Sequence, residues 1–493
     1  MTTRSGLGTL LVGAAVFFAG CQRATVAAPA PAQTPFVPSA RQLALADTVQ
    51  ERTFRWFWET TDTTTGLAHD RWPQQDFSSV ASIGFALTAY PIGAERAWIT
   101  RAQAARRTLV TLEYLWKLPQ GPDAQNMGGY QGFFYHFLRY EDGRRYRTVE
   151  LSTIDTALLF GGVLFAQSYY DGRDATEVAI RAVADSLYRR VDWQWSMTRP
   201  PRVVMGWNTE VKHYDADWRG YNEAMIIYIL GLGSPTHPLP DGAWEAWNAT
   251  NRFTTYRGQP HTNFSPLFGH QYSHVWIDFR GIRDAYSRSR GLDWFENSRR
   301  ATLAQREYAI ANPGGFAGYG ADIWGLTASD GPADTTVTLG GRQVQLRSYW
   351  ARGASDDRVE KVDGSERDDG TIAPTAAIGS LPFAPEIAFP AMVAMRERYG
   401  RVLFDRYGFK DAFNPSIVDP AIRVRMGTVD PALGWVGRDY LGIDQGPIVA
   451  MLENYRSELV WKTMRRNPYI LRGLRRAGFT GGWLDSTAVG SER

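Results

Sequence analysis

The residues that could do chemistry in this 493-residue chain are carboxylates set beside aromatic rings, glycine and proline rather than on regular charged helical faces. Glu150, Asp155, Glu223, Asp369, Asp411 and Asp444 all stand in such settings, with His136, Trp207, Tyr221, Trp276 and Trp324 interleaved among them. Hydrolysis of a glycosidic bond needs this inventory: one carboxyl kept protonated to serve the leaving oxygen, and one carboxylate to activate water or attack the anomeric carbon. For any single carboxylate the plainer alternative is a capping or ion-paired structural group. Glu150 and Asp155 lie five apart across a helix start, so they do not share a face. Asp155 falls at the third helical position if Ser152 is the cap, where a carboxylate can serve structure alone. Trp218, Tyr221 and Ala224 around Glu223 would raise its pKa by desolvation, whereas a helix-start position alone would lower it.

Metal chemistry is not indicated. His270 and His274 have the i, i+4 spacing of a zinc-binding helix, but Gln271 stands where the glutamate base belongs. The acidic stretch from Asp356 to Gly370 lacks the alternating ligands of an EF-hand loop. No cofactor is expected.

These residues must be positioned by helices. Amphipathic segments predict helices near Gln42–Glu59, Ser82–Ala89, Ala97–Trp116, Thr153–Tyr170, Thr176–Val191, Trp218–Leu232, Leu267–Ser287, Trp294–Asn312, Pro385–Tyr399 and Gly446–Lys462. Long polar or Gly-rich stretches lie between them, and loops of that length usually carry a site. No strand–helix alternation with a Gly-rich phosphate loop is visible, which disfavours a nucleotide-binding sheet. Helix pairs repeating every 60–70 residues or so would fit six hairpins closed into a ring, an all-α (α/α)6 toroid. Its active-site face would carry the long loops and short β-hairpins, one of them across Asp334–Ser348 around Gly340-Gly341.

With 44% apolar residues and 21% charged ones the chain is globular. Its formal net charge of +3, from 54 Lys+Arg against 51 Asp+Glu, is too balanced for a phosphate-backbone binder, so nucleic acid is not an expected partner. The abundance of Trp (18) and Tyr (23) suits sugar rings. Arg4 precedes an uncharged run to Gly20, the length of a signal-peptide core and short for a membrane span. Phe18-Ala19-Gly20-Cys21 resembles the lipobox of bacterial lipoproteins, which makes Cys21, the only cysteine, the expected lipidation site. The expected organisation is a lipoprotein-type signal peptide over 1–20, a Pro/Ala-rich tether over 21–41, a catalytic domain over 42–485 and a tail over 486–493. That places the protein at the periplasmic face of a bacterial membrane, or free in the periplasm if the anchor is absent.

Several strings carry a family resemblance. Glu150-Leu-Ser-Thr-Ile-Asp, Tyr221-Asn-Glu-Ala, Gln271-Tyr-Ser-His-Val-Trp-Ile-Asp-Phe-Arg, Trp324-Gly-Leu-Thr-Ala-Ser-Asp-Gly, Asp368-Asp-Gly-Thr-Ile-Ala-Pro, Pro382-Phe-Ala-Pro-Glu and Gly442-Ile-Asp-Gln-Gly-Pro resemble the bacterial glycoamylase-like domain family, which includes glycoside hydrolase family 144. The resemblance runs from about Phe54 to Leu474. It implies the (α/α)6 toroid and an inverting endo-β-1,2-glucanase giving short sophoro-oligosaccharides. By the same resemblance Glu223 matches a glutamate regarded as catalytic and is expected to be the general acid. Asp444 is the leading candidate base, with Asp369 and Asp411 as rivals, and Glu150 and Asp155 are further site candidates. Trp207, Tyr221, Trp276 and Trp324 are expected to stack on sugars. His274, Asp278, Arg280, Arg283, Asp369 and Glu386, together with Gln271, are expected to hold hydroxyls. Two other functions stay open at this point: an exo-acting glucosidase or transglycosylase on a related β-glucan, and a surface lipoprotein that binds glucan without cutting it.

Overall fold

The computed structural model describes residues 36–75, 77–214, 216–356 and 366–487. The expected signal peptide, Cys21 and the tether up to residue 35 lie outside the described residues, as do the last six residues of the expected tail. No helix among the described residues is long and apolar enough to cross a membrane.

From Ala40 onward two kinds of helix alternate. Ala40–Thr60, Arg101–Lys117, Ala175–Arg189, Ala243–Asn248, Trp294–Ala311 and Pro385–Leu403 bury one stripe and expose the other. Val80–Glu95, Thr153–Tyr169, Met225–Gly233, Tyr272–Trp276, Pro374–Ile378 and Gly442–Arg456 are buried almost all round, as helices enclosed by others must be. The second set forms an inner ring and the first an outer one, giving the (α/α)6 toroid.

Small residues let the inner ring close tightly. A Cβ added at Gly162 would sit 2.0 Å from the Gly84 carbonyl oxygen, so Val80–Glu95 and Thr153–Tyr169 meet backbone to backbone. Four of the six outer helices begin with side-chain caps: Ser39 and Thr100 form capping boxes with Gln42 and Gln103, and Asp174 and Asp293 cap two others. Each such cap is worth about 1 kcal/mol.

Short antiparallel strand pairs brace the N-terminal ends of the inner helices. Phe77–Ser79 pairs with Phe137–Arg139, Leu151–Ser152 with Gly206–Asn208, and Tyr440–Leu441 with Arg71–Trp72. In each case the first-named strand runs straight into an inner helix, so its ladder fixes where the first helical turn stands.

Several expected boundaries shift. The first helix starts at Ala40, inside the expected tether, because Ser39 caps it. The helix expected over Trp218–Leu232 begins only at Met225. The one expected over Leu267–Ser287 breaks into Leu267–His270, Tyr272–Trp276 and Ala285–Ser289, with Ile277 extended between them. The last expected helix starts earlier, at Gly442, and ends at Arg456, since Glu458 takes a left-handed φ of 60° that no helix continues through. Ala243–Asn248, Pro374–Ile378 and Pro468–Arg476 were not anticipated, two of them being too short to show a helical period. The hairpin expected at Asp334–Ser348 forms as Thr335–Leu339 paired with Arg342–Leu346, with φ of 55° and 80° at Gly340 and Gly341.

Candidate active site

The carboxylates gather where the inner helices begin. Asp155 is the third residue of Thr153–Tyr169; Ser152 Oγ accepts its backbone N–H at 3.2 Å and donates to its Oδ2 at 2.5 Å. Asp444 is the third residue of Gly442–Arg456. Glu223 stands in the turn just ahead of Met225–Gly233, where Ser273 pins the chain. The Ser273 hydroxyl donates to the Glu223 carbonyl at 3.0 Å and accepts the Ile226 N–H at 3.1 Å. Buried Tyr272, first residue of its own inner helix, feels the charges of Asp444, Glu223 and Asp155 together, so the three belong to one site.

Burial governs the Glu223 carboxyl. Its Oε2 is sealed with no hydrogen-bond partner, and desolvation, helped by the nearby Asp155 charge and opposed by the residue's own N–H, pushes its pKa up to about 7. It is therefore about half protonated at neutral pH and poised to give its proton up. His136 bridges the next two carboxylates, its Nδ1 2.9 Å from Glu150 Oε1 and its Nε2 3.5 Å from Asp155 Oδ2. Burial works against its charge, but Asp155 and Glu150 outweigh that and raise its pKa to about 9. Burial also opposes the charge on Glu150, and the bond to His136 more than compensates, holding Glu150 below the usual carboxylate range.

A second carboxylate group surrounds Arg71. Its guanidinium meets Asp70 at 3.1 Å and Asp330 at 3.2 Å, with Asp439 at 4.0 Å. Asp330 is pushed up to about 7 by burial and then by the Asp411 charge, against Arg71. Asp411 Oδ2 accepts the Asp330 N–H at 2.7 Å, and the Asp411 carboxyl is in hydrogen-bonding contact with that of Asp444. The Tyr349 phenol faces Asp444, Asp411, Asp70 and Asp330; its strand, Tyr349–Ala351, pairs with Ala328–Asp330 so that Tyr349 lies opposite Asp330. Among the described residues no group of three or more His, Cys, Asp or Glu side chains is arranged to hold a metal ion.

Many expected sugar contacts instead spend their polar atoms on the fold. Asp369 forms a bidentate pair with Arg352, at 2.6 and 2.8 Å, and both side chains are fully buried. Trp276 donates to Thr88 at 2.9 Å and stacks on Phe85. Tyr221 stacks on Trp294 with centroids 5.2 Å apart, and Trp324 is wholly buried. Trp207 flanks Glu150 through its pairing with Leu151, but its ring packs on Tyr130 and Trp195. Gln271 donates to Ala376 and Ser380, tying two inner helices together. His274 bonds Ser298 at 3.1 Å, and burial drives its pKa down to about 3. Asp278 binds Arg280 and Arg465, and Arg280 also reaches Glu458 at 2.8 Å. Exposed Arg283 pairs its backbone with Thr480, and Glu386 pairs with Arg299. The segment 277–283 follows the C-terminal end of Tyr272–Trp276, and Glu458 follows that of Gly442–Arg456. These residues thus lie past the inner-helix ends opposite to Asp155 and Asp444.

Asp70, Arg71, Tyr272 and Tyr349 were not singled out from sequence. The run His69-Asp70-Arg71-Trp72, charged residues between aromatics, carries the same signal as the chosen carboxylates. Tyr349 has no such mark, because a strand pairing brings it in.

The chain matches the Glycoamylase family model, whose description reads "Putative glucoamylase", over residues 215–468. A Bacteroides uniformis crystal structure described in the same words is 31% identical, with 91% of this chain and 100% of that one covered and a TM-score of 0.74. An endo-β-1,2-glucanase from Chitinophaga pinensis, solved with sophorotriose and glucose, is 28% identical with coverages of 91% and 100% and a TM-score of 0.75. An exo β-1,2-glucooligosaccharide sophorohydrolase (non-reducing end) of Parabacteroides distasonis is 28% identical over 472 residues, 88% of this chain. The chain spans 57% of the length of that curated relative.

Proposed function

From the premise that the chain belongs to the glycoamylase family, we propose that it is a glycoside hydrolase of β-1,2-glucan and that it cuts by inversion within the chain. The observation that carries the proposal is Glu223, a buried carboxyl with a pKa near 7 that shares its site with a second set of carboxylates. In this reading Glu223 protonates the glycosidic oxygen while a carboxylate of the Asp444 group takes a proton from the attacking water. The His136 imidazolium holds Glu150 below the usual carboxylate range, and the Asp155 charge favours the protonated form of Glu223.

Incubating the purified protein with a panel of glucans and separating the products over time tests the reading. A ladder of sophoro-oligosaccharides from β-1,2-glucan alone is expected, and no cleavage of that polymer would overturn it. The name of the Parabacteroides distasonis relative favours a second reading, exo release of sophorose from the non-reducing end. Sophorose as the sole early product, with the polymer shortening slowly, would establish that reading instead.

We further propose that Cys21 is acylated and holds the enzyme at the periplasmic face of a membrane. Native protein should then partition with membranes and Cys21→Ala should release it or leave it unprocessed. Wholly soluble native protein with another N-terminus would remove the anchor.

A further inference from the structure

Asp411 and Asp444 arrive from different parts of the chain and end carboxyl to carboxyl. Asp444 is fixed by the first turn of Gly442–Arg456. Asp411 follows the strand Gly408–Phe409, its N–H donating to the Asp439 carbonyl at 3.0 Å. Asp411 Oδ2 is occupied by the Asp330 N–H. That leaves Asp411 Oδ1 and Asp444 Oδ2, both shut away from solvent and both without any protein donor, although the two carboxyls are in hydrogen-bonding contact. Two carboxylate oxygens cannot lie together buried and bare, because like charges in that setting repel strongly; one proton between them removes the conflict and gives each oxygen a partner.

We propose that Asp411 and Asp444 hold a single proton in common, so that the pair carries one negative charge and serves, through Asp444, as the base of the hydrolytic reaction. The inference rests on the glycoside-hydrolase reading for the word base, and not for the shared proton. The groups facing the pair fit a mono-anion. Asp330 and Asp70 disfavour a second negative charge on the pair, while Arg71 and, more remotely, Arg352 favour the first at Asp411. In the reaction the attacking water would give its proton to Asp444 as its oxygen bonds the anomeric carbon, leaving the pair with two protons, one of which returns to solvent after product leaves. Arg71 holds Asp330, whose N–H in turn orients Asp411, so this second group of carboxylates supports one reactive oxygen.

Asp411→Asn is the direct test, since the amide oxygen can still accept the Asp330 N–H and the amide nitrogen can donate to Asp444, but no proton can be shared. Thermal midpoints of wild type and variant are compared from pH 5 to pH 9 without substrate. Burial and mutual repulsion raise the shared proton's pKa above its unfolded value, so its contribution to stability is full at low pH and is lost as pH rises through that value. The gap between the two proteins should therefore close as pH rises; a gap that stays constant would overturn the inference, whatever the protein hydrolyses. In the rate profile on glucan, the variant should keep its KM within about twofold. Its acid limb should move about one pH unit upward, because an amide N–H stabilises the Asp444 anion less than a carboxylic O–H does. If Asp411→Asn does not fold, Asp330→Asn serves in its place. Asp330 carries a like charge only above about pH 7, so its removal should bring the loss of the shared proton, read as the alkaline fall of the thermal midpoint, to lower pH, and an unmoved fall would overturn the inference. A closing stability gap together with inert wild-type enzyme would leave the shared proton standing and refute the hydrolase reading.

Discussion

His136 Nε2 lies 3.5 Å from Asp155 Oδ2 while its Nδ1 bonds Glu150, so one imidazole joins a carboxylate ahead of an inner helix to one inside its first turn. Its pKa of about 9 stands above the ordinary value of 6.5, so the charged form is the one that stabilises the fold. That stabilisation is complete below about pH 6.5 and is lost as pH rises through about 9. His136→Gln should therefore be less stable than wild type by something on the order of 2 kcal/mol near pH 6, a deficit that fades toward pH 9.5. Chemical denaturation across that range checks it, and a deficit independent of pH would refute the charged pairing.

Glu223→Gln keeps the shape of the side chain and removes its proton. Turnover on the polymer should fall by about 10²–10⁴-fold, with glucan binding little changed. A substrate with an activated leaving group, which needs no protonation, should recover much of the rate where the site admits it. In the wild-type enzyme the alkaline limb of the rate profile should lie near the Glu223 pKa of about 7. Near-wild-type turnover by the variant would move the acid role to another carboxylate.

NMR of the first-formed product should show the α anomer from the β-linked polymer. Inversion holds the two carboxyls about 6.5–9.5 Å apart to admit a water, whereas retention brings them to about 5–5.5 Å. Initial appearance of the β anomer would exclude the inverting reading.

Asp369→Asn separates structure from substrate contact. It leaves the wholly buried Arg352 guanidinium short of its partner, and breaking a buried pair in this way costs about 3–5 kcal/mol. Denaturant titration should register that loss, while the KM of whatever protein remains folded should hold. A KM raised tenfold in a protein of unchanged stability would restore Asp369 as a sugar ligand.

Periodicity and capping were enough to read the helical architecture. The fully buried inner helices were harder: Pro374–Ile378 has no capping side chain, spans barely more than one turn and is buried throughout, which leaves no stripe to read. The sequence by itself determined that Glu223, Asp155 and Asp444 stand at helix starts, because Ser152 and the apolar runs after each of them set those positions locally. Residue type also suggested His274, Trp276 and Asp278 as sugar ligands, and there tertiary structure decided otherwise. A polar atom's role depends on which partner reaches it, and Ser298, Thr88 and Arg465 arrive from distant segments. Only the closed ring brings Asp411 against Asp444 and Arg71 between Asp70 and Asp330, since contacts between residues so far apart in the chain leave no local pattern. The raised pKa values of Glu223 and Asp330 follow first from the burial that ring closure imposes.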